Sequence, residues 1–128
     1  MTKTKITRFI ETYGMTPHEE GGFFTEIWKE KENRASHIFY LLPPHEQAAW
    51  HRVESDELWL FHEGGKLRIL LGGNGDTPAE EKETILDRDH LHCLIPGGTW
   101  QCAVVDEEGA MVSCVVSPGF RYDQWELL

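Results

Sequence analysis

Ala49-Trp50-His51-Arg52-Val53-Glu54-Ser55-Asp56-Glu57-Leu58-Trp59-Leu60-Phe61-His62-Glu63-Gly64 is the stretch whose reading decides the fold. Two runs rich in aromatic and branched residues flank the polar Glu54-Ser55-Asp56, which reads as a hairpin. Strand residues two apart share a face. His51 and Val53 therefore point one way, and on the next strand Glu57, Trp59 and Phe61 point one way. If that face is the interior of a barrel, an imidazole and a carboxylate meet beside aromatic walls. The same parity sets His62 opposite Glu57 and turns Arg52 outward.

Outward from this stretch the chain stays rich in strands. Upstream, Ile6, Phe9, Ile10 and Tyr13 recur at helical spacing and predict one helix over about 3–14, capped by Thr2 or Thr4 and ended by Gly14. A breaker-rich loop follows over 15–22. The patterning then predicts strands over 23–28, 36–42, 48–53, 57–62, 66–71, 83–86, 90–95, 100–105, 110–116 and 120–126. Short strands with turn signals at regular spacing point to an all-β barrel or sandwich. The Gly-, Pro- and acid-rich run over 72–81 reads as a mobile loop, and the acidic residues over 76–83 as solvated surface. With 128 residues and no linker or repeat, the expectation is a single domain over 1–128, its barrel over about 22–128.

Composition narrows the function. Hydrophobic residues make up 40% and charged residues 27%, as in an ordinary globular chain. A formal net charge of −10 argues against nucleic acid and anionic membrane as partners, since both require a basic face. There is no apolar run of spanning length and no signal-peptide pattern at the start, so the expected location is cytoplasmic. Cys93, Cys102 and Cys114 form no CxxC pair and read as reduced, buried thiols. Five tryptophans is a high count for this length. Parity assigns Trp59 to the pocket, Trp50 and Trp100 to sheet or interface packing, and Trp28 and Trp125 to packing or a dimer seam.

The motif spacing carries a resemblance. His51-x-Val53-xxx-Glu57-xxxxxx-Gly64 is similar to the first motif of the cupin superfamily, HxHxxxExxxxxxG, with valine in place of the second histidine. Pro96-x-Gly98-xx-Gln101 is similar to the second motif, PxGxxH, with glutamine in place of histidine. Pro17-His18 with Glu20-Gly21-Gly22-Phe23-Phe24, and Ser117-Pro118-Gly119-Phe120, extend the likeness to the small single-domain RmlC-like cupins of unknown function. The resemblance implies a cupin jelly-roll β-barrel with a short N-terminal helix, and a homodimer. It also implies a metal site of three histidines and a glutamate, of which only His51 and Glu57 are strong ligands here. His18 or His62 would have to make up the number. The resemblance fixes no cofactor, and the most this set supports is a weakly bound divalent ion on His51, Glu57 and Gln101.

Three functions stay open. In the first, the chain is an enzyme on a small polar carbonyl compound, of sugar isomerase or epimerase type. His51 and Glu57 are its acid–base pair, and Gln101, Trp59, Phe61, Val53 and Glu20 contact the substrate. The second is a non-catalytic cupin that binds a small ligand in the same pocket. The third is a metal-dependent oxygenase or hydrolase, weakened by Val53 and Gln101. His90 and His92 have chelate spacing but no fixed acidic or thiol partner, and read as an exposed strand face.

Overall fold

Thr2 starts the one α-helix among the described residues, α1 (Lys3–Tyr13): its hydroxyl accepts the Lys5 N–H at 3.1 Å, and Gly14 in the left-handed conformation closes the other end. The computed structural model describes residues 1–79 and 82–128. Glu80 and Glu81, part of the acidic run, lie outside the described residues.

The strands are β1 (Thr16–Pro17), β2 (Phe23–Lys29), β3 (Ser36–Leu42), β4 (Gln47–Val53), β5 (Asp56–Gly64) and β6 (Leu67–Leu71), followed by β7 (Lys82–Leu86), β8 (His92–Ile95), β9 (Gln101–Val105), β10 (Ala110–Ser117) and β11 (Trp125–Leu127). They form two antiparallel sheets, ordered β1-β2-β3-β10-β5-β8 and β11-β4-β9-β6-β7. This is a jelly-roll sandwich. Two departures from the sequence expectation stand out. Thr16–Pro17 forms a short edge strand within the loop expected over 15–22. The last expected strand begins late, because Tyr122–Gln124 is a 3₁₀ turn and only Trp125–Leu127 pairs, with β4.

The central correction concerns the expected hairpin. β4 and β5 do not pair: β4 lies between β11 and β9 in one sheet, and β5 between β10 and β8 in the other. Glu54 and Ser55 carry the chain across the sandwich. Polar residues between two apolar strands announce a turn, but they do not tell whether the strands share a ladder.

The core fills the space between the sheets with Tyr40, Leu42, Trp59, Leu67, Ile69, Leu86, Ile95 and Val112. A smaller cluster lies on the outer face of the first sheet, where Ile6, Phe9 and Ile10 of α1 cover Leu41 and Met111. On the outer face of the second sheet, Trp100 is fully buried. Its indole donates to the Gly75 carbonyl at 2.9 Å, and the Arg52 guanidinium lies 4.5 Å from its ring centroid. Arg52 also pairs with Glu126 at 3.1 Å, so it points outward as parity requires. Trp100 thus packs under its own loop. Cys93, Cys102 and Cys114 are buried and make no disulfide. Among the described residues no helix is long and apolar enough to cross a membrane.

Candidate functional site

β4 carries a bulge where His51 is aimed. Gln47 and Ala48 pair with Val104 and Ala103, but the next pair is His51 with Gln101, so β4 holds one extra residue over this interval. A bulge takes backbone groups out of the ladder and re-aims a side chain. Both effects are visible at Ala49. Its N–H donates to the Glu20 carbonyl at 2.7 Å, and its own carbonyl lies 2.7 Å from His51 Nδ1. A backbone carbonyl can only accept, so Nδ1 carries the proton and Nε2 is left with the lone pair in the neutral ring. The tautomer is thus set by the backbone rather than by a carboxylate.

Glu57 faces His51 from the opposite sheet. The turn over Pro96–Thr99 ties the two strand ends together: Gly97 N–H donates to Asp56 Oδ1 at 2.8 Å and Gly98 N–H to the Val53 carbonyl at 2.7 Å. Behind Glu57 runs a directed chain of hydrogen bonds. Trp59 Nε1 donates to Gln101 Oε1 at 3.1 Å, and Gln101 Nε2 donates to Glu57 Oε1 at 2.8 Å. Because an indole can only donate, the glutamine amide has a single allowed orientation, and Glu57 Oε1 must accept. When Glu57 is protonated its proton is therefore on Oε2. The buried Cys114 thiol also hydrogen-bonds the Glu57 carboxyl.

His51 and Glu57 line a cavity of about 120 Å³ at one end of the sandwich. His18 and Glu20, from the loop before β2, join them, with Phe24, Ile38, Val53, Val116, Phe120, Tyr122 and Trp125 as apolar and aromatic walls. Glu20 Oε2 lies 3.4 Å from His51 Nδ1 and accepts the Trp125 indole N–H at 3.3 Å. Burial dominates the electrostatics. Desolvation pushes the Glu20 carboxyl up to about 8 against the pull of Trp125, and holds His18 down to about 4 with help from nearby His51. It also lowers His51, with Glu57 opposing, and raises Glu57, with His51 opposing. The neighbouring Glu57 carboxylate draws His51 upward, but loss of solvent outweighs it.

The expected site residues divide. His51, Val53, Glu57 and Glu20 all reach the cavity. Trp59, Phe61 and Gln101 do not: Trp59 and Gln101 are each 1% exposed behind Glu57, and Phe61 packs on the core. The physical reason is depth. Register sets Glu57 beside Val116 at the cavity end of β5, whereas Trp59 lies beside Cys114 and Phe61 beside Val112, successively deeper. Face is legible from parity, but position along the barrel is not. Trp125, expected in packing or a seam, is instead a cavity wall, and Phe120, Tyr122 and Phe24 were missed. The aromatic spacing of Phe120, Tyr122 and Trp125 after Pro118-Gly119 was the available signal.

The donor set does not fit a metal centre of the kind the resemblance implies. Val53 offers no ligand atom, and the Gln101 carbonyl, its only ligating atom, is committed to Trp59. Among the described residues no group of three or more His, Cys, Asp or Glu is arranged to hold an ion. The set His51, Glu57 and Gln101 is therefore not assembled as ligands. His62 cannot complete it, since it lies on the outer face bonded to Ser113 Oγ at 2.5 Å. His90 is paired with Asp87 at 3.0 Å, and His92 is exposed.

Comparison with known families and structures agrees with this architecture. A family described as Cupin superfamily (DUF985) matches residues 7–128. The chain belongs to the cupin superfamily. A Shewanella oneidensis protein of known structure is similar at 28% identity and a TM-score of 0.87, over 100% of this chain and 85% of that one. A hypothetical protein from Leishmania major is similar at 24% identity and a TM-score of 0.82, over 95% of this cupin and 86% of that chain. CapF, a capsular polysaccharide assembling protein from Staphylococcus aureus, shares the fold at 20% identity and a TM-score of 0.72, over 89% of this cupin and 31% of its own length. No curated protein matches the sequence.

Proposed function

We propose that this cupin is an enzyme that moves a proton beside the carbonyl of a compact polar molecule, as isomerases and epimerases do. One observation carries the reading. A buried imidazole with its Nδ1 locked on a backbone carbonyl and a buried carboxyl with a fixed proton position share one small cavity. Environments that push two titratable groups in opposite directions assign the acid and the base. Burial favours neutral His51, with Nε2 as base, and protonated Glu57, with Oε2 as acid. Gln101 positions Glu57 and does not touch the substrate. The cavity size supports a small ligand, for a void of about 150 Å³ takes a benzene-sized molecule.

The test is solvent exchange. Small hydroxy- and keto-compounds are incubated with the protein in D₂O, and deuterium entry at carbon is followed by proton NMR. The expected result is exchange that falls roughly 10²–10⁴-fold in His51→Gln and in Glu57→Gln with both variants folded. Saturable binding without exchange for every ligand found would overturn the reading in favour of a binding cupin.

A further inference from the structure

Five rings form a continuous arc around the cavity. Phe120 and Tyr122 meet edge to face at 4.9 Å and 84°, Tyr122 and Trp125 at 5.8 Å and 90°, Trp125 and His18 at 6.3 Å and 63°, and His18 and Phe24 at 4.7 Å and 63°. Neighbouring rings meet at steep angles, so the cavity is walled by rings in several orientations. Tyr122 is 58% exposed, an unusual place for a ring that serves packing alone.

Charge on the wall is one-sided. Among the described residues lining the cavity there is no Lys or Arg; Glu26 is an exposed carboxylate at its edge, while burial favours the neutral, protonated form of Glu20 and Glu57. His18 is held neutral by burial and so offers an anion no charge. A phosphate, carboxylate or nucleotide sugar would enter with no cation to meet it, at a heavy desolvation cost. A ring-walled cavity with a carboxylate at its mouth and no Lys or Arg is the arrangement that recognises a methylated ammonium group, whose charge is spread over an apolar surface. Ile38, Val53 and Val116 supply matching aliphatic contacts for the methyls.

We infer that the cavity takes a small cation of the methylated-ammonium class, seated among Trp125, Tyr122, Phe120 and Phe24 with Glu26 at the mouth. This names a substrate class for the site proposed above and rests on that site being a small-molecule pocket. It assigns no bond change to the cation.

Calorimetric titration tests it with three probes: choline chloride, its uncharged isostere 3,3-dimethylbutan-1-ol, and sodium acetate. Choline is expected to saturate one site per chain at least about tenfold more tightly than the alcohol, with no acetate binding. Tyr122→Leu, at an exposed position, and Glu26→Gln are each expected to weaken choline at least about fivefold and the alcohol by less. No choline binding, equal or tighter binding of the alcohol, preference for acetate, or choline affinity unmoved by both variants would each overturn the inference. The two proposals fail separately. Exchange on an uncharged compound without choline binding removes the cage and leaves the acid–base pair. Choline selectivity without exchange on any carbonyl compound bearing a methylated ammonium does the reverse.

Discussion

Trp59 shows how much one donor-only atom decides. Its indole N–H fixes the Gln101 amide, and the amide fixes which Glu57 oxygen is free for a proton. Trp59→Phe keeps an aromatic ring but removes the donor and part of the indole's volume, leaving Gln101 Oε1 buried without a partner beside a small void. The expected cost is about 1–3 kcal/mol in denaturant unfolding. At this scale the pair itself was legible, since motif spacing singled out His51 and Glu57. The supporting residues were not. Gln101 looked like a ligand contact because its motif position usually serves one, and only the contacts show that both ends of its amide are occupied within the protein.

The elements explain why the site gathers where it does. The β4 bulge aims His51 inward and hands Ala49's free N–H to the loop that carries His18 and Glu20. That loop turns at Gly21, whose φ of 113° is a conformation few other residues adopt, and any Cβ there would strike the Gln47 carbonyl oxygen. Gly21→Ala is therefore expected to cost more than about 1 kcal/mol in thermal or urea unfolding and to displace Glu20 from the cavity. The helix was legible to within a residue, because an amphipathic stripe between a threonine cap and a glycine stop is a local signal. Most strand positions were legible for the same reason. Pairing was not: whether the turn over Glu54 and Ser55 closes a hairpin or bridges two sheets depends on β9, β10 and β11, whose places no local pattern announces.

For the whole molecule, buried ionisable groups set the response to pH. Glu20, raised from 4.5 to about 8, binds a proton in the folded state that the unfolded chain releases, so its contribution is lost as pH rises from 4.5 to 8. His18, lowered from 6.5 to about 4, refuses a proton that the unfolded chain accepts, so its contribution is lost as pH falls from 6.5 to 4. Between 4.5 and 6.5 these two slopes oppose each other; above 6.5 the His18 slope is gone, and Glu20 acts in the same direction as the raised Glu57 carboxyl. The melting temperature is expected to decline more steeply from 6.5 toward 8 than across the first interval, and Glu20→Gln should lessen that decline in a scanning fluorimetry series. None of this was legible in a formal net charge of −10, which counts buried and solvated carboxyls alike. The chain's crossing between sheets has one more consequence. His51 and Glu57 are six positions apart in sequence, yet each is riveted to a different wall of the sandwich. The gap between base and acid is therefore the gap between the walls, with Gln101 as the spacer rod. A slackening of the sandwich too slight to unfold it would already pull the two apart, so the proposed chemistry would serve as a strain gauge on the fold that holds it.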